Sequence, residues 1–517
     1  MVSHIRSEKQ SQDETKTAKL HRTRVDLFGF IAMILLLVCS MALFIQLMAT
    51  GMLTDLWSVL VIVIFVVMNG AHVFVQLPLR RNKTGKLVCG ILAVIFAAVM
   101  IFGLIATGSV KNMIAKISGK LIEKEVTAVI VMEDDPALTL DAAGDYVFGY
   151  LNSADAELTE GMLNEMAKDL GYQVETTGYD STAALVDALY DDEVGAIILN
   201  EGYIPVLENT DEYADFSDNT RIIYEYSVER EIDNPSLTNI DLSQPFVVYC
   251  SGIDARDSDV STTSKSDVNI LAVIHPQTHQ ILLINTPRDY YLPLSFNGEF
   301  DKLTHAGLYG INESMNILGN LYGVEVAYYV RVNFDGLVEI VDALGGIDVM
   351  SEYEFTTRNM EIPNEDGTGY YYDSYSFEEG MNHLDGRAAL AFSRERYSFA
   401  AGDIQRGKNQ MAVIKAIVDK ATSSSALANY QKVLDAVSDA FITNLSYNDI
   451  AGLIKLQQKN MTGWNITTYS VYGEGGTDYT YSGGNAYVMY PDYDLVNTAQ
   501  NLIQAVYNGE APQIPED

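Results

Sequence analysis

Five arginines fall in short motifs of an otherwise acidic stretch. They are Arg256 in Gly252-Ile253-Asp254-Ala255-Arg256, Arg288 in Thr286-Pro287-Arg288-Asp289, Arg394 and Arg396 in Ser393-Arg394-Glu395-Arg396, and Arg406 in the run 402–410. Lys302, in Lys302-Leu303-Thr304-His305-Ala306, adds a sixth cation. A guanidinium fork matches phosphate oxygens bidentately and stays charged at any physiological pH. Asp267 and Asp403 belong to the same motif set, yet bare carboxylates repel phosphate. A hard divalent cation between them and the phosphate removes the conflict, and Mg²⁺ commonly takes one or two carboxylates plus substrate phosphates. The chemistry expected of this set is transfer of a phosphoryl group from a pyrophosphate, with cations stabilising the developing charge. There is no Cys or His triad to suggest a covalent intermediate.

These residues need elements that bring them together. The runs Val268–Val273 and Ile281–Ile284 read as strands buried on both faces, joined through His275-Pro276-Gln277-Thr278-His279 as an antiparallel hairpin. Asp267 opens the first strand and the second closes at Arg288, so the two would meet at one rim of the sheet. Phe246–Ser251 reads as a strand presenting Arg256, Val324–Val332 as another, and Asp335 as the cap of the helix that follows it. A short helix, Arg387–Phe392, should precede Arg394 and Arg396, whose i, i+2 spacing in extended chain points both the same way. Asp403 suits the N-cap of a helix running to about Lys420. At 100° per residue Asp403, Arg406 and Gln410 then share a lip at its positive end, above the apolar Met411, Ile414 and Val418. His305 and His383 read as hydrogen-bonding scaffold. Trp464–Tyr472 reads as a further strand and Tyr493–Tyr507 as a closing helix.

Charge and hydropathy divide the chain. The first 125 residues carry 14 Lys and Arg against 7 Asp and Glu, and the remainder 19 against 62, a net of −43 that argues against a nucleic-acid partner. Cys39 and Cys89 lie in apolar runs and Cys250 stands alone, which excludes a disulfide or a cysteine zinc site in the rest. Three runs, about Leu27–Met48, Leu56–Leu79 and Leu87–Ala106, are each near the ~20 residues that span a bilayer. The basic residues of the first 26 positions and Arg80, Arg81, Lys83 and Lys86 in the second loop predict a cytoplasmic amino terminus by the positive-inside rule, with the chain beyond about residue 110 outside. The expected organisation is a cytoplasmic tail (1–26), three membrane helices (27–107), a small α/β accessory domain (126–235) and a larger α/β domain (243–510).

The motifs in order, GIDAR, KSD, TPRD, KLTHAG, VNFDGLVEIVDALGGIDV, LDG, RER and GDIQRGKNQ, resemble those of the LytR-CpsA-Psr family of cell-envelope proteins across roughly 246–420. The three spans and the accessory domain resemble members linked to capsule attachment. The resemblance implies a membrane-anchored α–β–α sandwich facing the wall. It also implies transfer of a glycopolymer, capsule or teichoic acid, from a polyprenyl (undecaprenyl) pyrophosphate carrier to peptidoglycan. On this chain it implies Mg²⁺ on Asp267 and Asp403. Arg288, Lys302, Arg394, Arg396, Arg406, Gln410 and Arg256 would hold the pyrophosphate, and Arg288, with Asp267, Arg394 and Arg396, would serve catalysis. Two other readings use the same residues: hydrolysis of polyprenyl pyrophosphate, and a non-catalytic envelope sensor or transcriptional attenuator.

Overall fold

The computed structural model describes residues 2–49, 55–76, 83–117, 121–152, 156–208, 212–232, 241, 243–253, 264–363, 370–423, 441–459 and 462–515. Two compact units result, 1–115 with 447–460, and 116–446 with 461–517.

In the first unit the helices Val2–Ala49, Asp55–Gln76 and Lys83–Ile117 contain apolar stretches of 25, 21 and 22 residues (Val25–Ala49, Leu56–Gln76, Thr84–Ile105), each long enough to cross a membrane. Large apolar side chains such as Leu60, Val66 and Phe102 face outward. Small ones, Ala32, Ala93 and Ala97, are buried where the first and third helices meet, as close helix approach in lipid requires. Lys86 Nζ lies 2.9 Å from Asp26 Oδ1, so the beginnings of the first and third spans are level.

Among the described residues the second unit holds two large sheets and five two-stranded ones. The first has five strands in the order Glu175–Tyr179, Val147–Leu151, Ala196–Asn200, Leu121–Met132, Thr220–Ile232, with helices Ala156–Leu170 and Thr182–Tyr190. Ser181 caps the second helix by accepting from the Ala184 N–H. One buried core runs from this sheet into the next: Tyr203 and Tyr309 have ring centroids 5.8 Å apart, and Ser181 Oγ is 2.5 Å from Tyr479 Oη.

The second sheet has six strands in the order Phe441–Thr443, Tyr328–Asn333, Phe246–Ile253, Val268–His275, Gln280–Asn285, Asn465–Ser470. Successive side chains of its central strands point to opposite faces, and because both faces are covered burial runs nearly unbroken along Val268–His275 and Gln280–Asn285. Tyr249, Leu271, Val273, Leu282 and Ile284 share a core with the helices Ile311–Tyr322 and Tyr493–Tyr507. Cys250, Gly252, Val330 and Val332 face the opposite layer, which includes Phe334–Ala343 and Asp403–Ala421. The second unit thus contains an α–β–α sandwich built on the six-stranded sheet. Tyr328–Asn333 runs parallel to Phe246–Ile253, and Asn465–Ser470 parallel to Gln280–Asn285. Asn333, Ile253 and Asn285 accordingly end their strands along one edge, the carboxyl edge where α/β sheets place their ligands.

Two local expectations change. Asn333, not Asp335, caps the helix Phe334–Ala343, because the strand ends in extended backbone at Asn333 and its amide oxygen reaches the Gly336 N–H at 2.7 Å. The cap of Asp403–Ala421 is Gly402, at φ 52°, where any side chain would be strained, and Asp403 begins the helix.

Candidate phosphate pocket and apolar cavity

The hairpin ladder ends with Ile270 opposite Asn285. Asp267 and Arg288 each lie three residues beyond it, and Arg288 Nη1 donates to Asp267 Oδ1 at 2.8 Å. The backbone around them is tied down. Asp267 N–H donates to Gly252 O (2.8 Å), Ser266 N–H to Thr304 O (3.1 Å) and Thr304 N–H to Arg288 O (2.8 Å). Beneath them Ser266 Oγ bonds Val268 O and lies 2.8 Å from Ser251 Oγ, and Tyr249 Oη bonds Asn269. Lys302 sits slightly apart: its Nζ is 3.3 Å from Asp289, which also faces Arg288 Nε at 3.7 Å. Burial alone would lower the Arg288 pKa, but Asp267 and Asp289 outweigh it and hold the guanidinium above its ordinary value.

The helix Asp403–Ala421 supplies the facing wall. Asp403 Oδ1 is 2.8 Å from Arg406 Nη2, one turn on. A β-carbon at Gly407 would fall 2.1 Å from Asn285 Nδ2, so glycine is what lets the helix start press against the hairpin end. Asp267, Arg288, Asp403, Arg406 and Gln410 thereby line one small cavity. Burial draws the Arg406 pKa down; Asp403 opposes this and the nearby Arg288 adds to it. Two guanidiniums held this close are poised for an anion. The buried atoms Arg288 Nε and Arg406 Nε have no hydrogen-bond partner among the described residues.

Gln410 also lines a second, apolar cavity of about 370 Å³. Its walls are Leu337, Ile340 and Leu344 from one helix and Val413, Ile414, Ile417 and Val418 from the other, with Cys250, Val330 and Val332 as floor. The size falls within the ~300–1,000 Å³ typical of ligand sites. The polar lip and apolar body of one helix thereby line two neighbouring cavities that share Gln410.

Arg394 and Arg396 diverge, contrary to the extended-chain expectation. The helix runs Gly386–Arg394, continued by a Glu395 N–H to Ala391 O bond, and only Glu395 turns extended. Arg394 borders the apolar cavity with its guanidinium 4.1 Å over the Phe334 ring. Arg396 points to Tyr397, and its charge reaches Arg406. The device that separates them is Glu395, 5% exposed, whose carboxylate accepts from the backbone N–H of Arg358 (2.8 Å), Tyr397 (2.6 Å) and Ser398 (2.9 Å). Arg256 lies outside the described residues.

Three supports escaped the sequence reading. Glu395 was hidden between two arginines, and Gly407 inside a motif read for its charges. Arg331, 0% exposed, donates to Ser251 Oγ at 3.1 Å behind the rim; a lone cation in the apolar strand Tyr328–Asn333 was its available signal. His305, expected as scaffold, is buried within 2.6 Å of Asp301 and 2.9 Å of Ser482. Exposed His383 pairs with Asp348 at 2.8 Å.

Among the described residues no group of three or more His, Cys, Asp or Glu could hold a metal. Asp267 and Asp403, both lining one cavity, are carboxylate donors of the kind a hard cation takes together with phosphate and water.

The LytR_cpsA_psr family model matches residues 215–504. A polyisoprenyl-teichoic acid–peptidoglycan teichoic acid transferase, TagU, of Enterococcus faecalis is 35% identical over 239 residues, 46% of this chain and 73% of the relative. The TagU of Bacillus licheniformis is 29% identical over 43% of this chain and 68% of its own. The crystal structure of B. subtilis TagV aligns at 24% identity with a TM-score of 0.41, over 52% of this chain and 99% of that one.

Proposed function

Because the chain belongs to the LytR-CpsA-Psr family, we propose that it is a membrane-anchored phosphotransferase. It moves a glycopolymer from a polyprenyl pyrophosphate carrier to peptidoglycan. The observation that carries this is Gln410, which lines both a cation-lined pocket and an apolar cavity. A diphosphate with a hydrocarbon tail has those two parts in that order. The relatives named as transferases of teichoic acid from a polyisoprenyl carrier point to the same substrate class.

In this reading Arg288 and Arg406 grip the diphosphate, Gln410 bonds its lipid side, and Arg394 and Arg396 guard the two exits. Asp289 and Lys302 orient Arg288. The forming bond joins an acceptor oxygen of peptidoglycan to the sugar-bearing phosphorus. The breaking bond is the bridging P–O, and polyprenyl phosphate leaves. Negative charge grows on the bridging oxygen, where fixed guanidiniums act without reorganising. Asp267 and Asp403 would hold Mg²⁺, which when bound supplies further charge neutralisation at the phosphates.

We read the basic loop and tail as holding the amino terminus in the cytoplasm, with the chain beyond about residue 110 outside, next to the wall. The pairing of Lys86 with Asp26 sets the starts of the first and third spans on one side. The test supplies the reconstituted chain with labelled lipid-pyrophosphoryl glycan, with and without peptidoglycan. Acceptor-dependent product is expected. Equal release without acceptor indicates a hydrolase, and lipid binding without turnover indicates a sensor.

A further inference from the structure

Arg396 belongs to a cluster of cations beyond the diphosphate pocket, with Arg358 as its second member. Arg358 is exposed, has no ion pair among the described residues, and holds its guanidinium 3.5 Å from the Tyr397 ring centroid. Arg396 stacks on the same ring at 4.6 Å and its Nη2 donates to Tyr397 Oη at 2.5 Å. Tyr397 is itself 56% exposed. The arrangement is fixed from below, because Glu395 binds the backbone N–H groups of both Arg358 and Tyr397. Arginines in a segment with a net charge of −43 ordinarily have many carboxylates to choose from. Here two of them stack on a ring, leaving guanidinium edges for another acceptor. The hydrogen bond from Arg396 draws the Tyr397 phenol below its ordinary pKa, and Arg358 and Arg288 add to the effect, so one positive field spans cluster and pocket.

We propose that Arg358 and Arg396, stacked on Tyr397, form a second anion subsite that takes a phosphodiester of the donor's polymer chain and so selects phosphate-bearing glycopolymers over neutral ones. This rests on the transferase reading. The diphosphate occupies the pocket of Arg288 and Arg406, the lipid leaves by the apolar cavity, and the polymer leaves on the Arg396 side. A neutral glycan gains nothing from Arg358. A chain of polyol phosphates gains a charge-assisted hydrogen bond there.

The test uses the full-length chain in lipid nanodiscs with two donors that share one lipid pyrophosphate and one disaccharide. Only the second donor carries glycerol phosphate units. Arg358→Ala should raise KM about tenfold for the phosphate-bearing donor, leave kcat intact, and change KM for the other donor less than twofold. Arg358→Lys should recover part of the loss. Equal effects on both donors, or none on either, overturn the proposal. A second measurement separates its failure from that of the transferase reading: binding of a free glycerol phosphate hexamer, which needs no turnover. Arg358→Ala should weaken it about tenfold, while a neutral hexasaccharide of equal length binds neither form. Unchanged hexamer affinity overturns the subsite even if transfer is observed.

Discussion

Replacing Arg288 by alanine removes the guanidinium that faces Asp267, Asp289 and, at longer range, Asp403. The Arg288 and Asp267 side chains are 28% and 24% exposed and meet at 2.8 Å, so the pair is neither free in solvent nor sealed from it. Unit charges 4 Å apart attract by about 4 kcal/mol at an effective dielectric constant near 20. Halving this for solvent screening leaves roughly 2 kcal/mol. Arg288→Ala should therefore cost about 2 kcal/mol, and adding Asp267→Asn should recover about 1 kcal/mol, since the carboxylate left without a partner is then removed as well. Activity should respond differently. An arginine that meets transition-state charge contributes about 10³-fold or more to the rate, so kcat/KM should fall by that order in the single variant and stay down in the double. The assay is a double-mutant cycle read twice on the detergent-solubilised chain, once by thermal melting and once by initial rates. Near wild-type kcat/KM in Arg288→Ala, measured at a temperature where the variant remains folded, would reduce Arg288 to a structural counter-ion and refute the reasoning.

Glu395→Ala strands three backbone N–H donors and should lower stability by about 2–3 kcal/mol, with a matching loss of kcat as Arg394 and Arg396 move; a variant with wild-type melting and rate argues against the clamp. Ile417→Trp fills the apolar cavity. It should raise KM at least tenfold for long-chain prenyl donors and little for a ten-carbon one, and equal effects on both would place the tail elsewhere. Cys250 faces that cavity within the protein body, and burial pushes its thiol up to about 12. A raised pKa means less thiolate at any given pH, so with Cys39 and Cys89 changed to serine, alkylation should climb about tenfold per pH unit from 7 through 10. A plateau near pH 9, as an ordinary thiol shows, counts against the buried setting.

Much of this arrangement was legible in the sequence because it depends on short-range pattern. The hairpin needed only two apolar runs and a turn, and its ends had to meet. The lip of Asp403, Arg406 and Gln410 followed from helical angle alone. What escaped depends on tertiary contact. Nothing local says that the helix bearing Arg394 keeps its hydrogen bonding one residue further, which sends Arg394 and Arg396 apart. A glutamate flanked by arginines reads as charge balance until its carboxylate is found holding the 358 and 397–398 backbones together. Gly407 reads as a weak helix residue until Asn285 is placed against it. Arg331 and the core shared between the two sheets likewise exist only once strands distant in sequence are neighbours.

The account comes down to where one molecule lies, so its most direct measurement is the electron density of the chain crystallised with a polyprenyl pyrophosphate donor. The diphosphate is predicted within hydrogen-bond distance of both Arg288 and Arg406, with the tail passing Gln410 into the cavity walled by Leu337, Ile414 and Ile417. A diphosphate bound away from those arginines, or a tail lying outside that cavity, would contradict it.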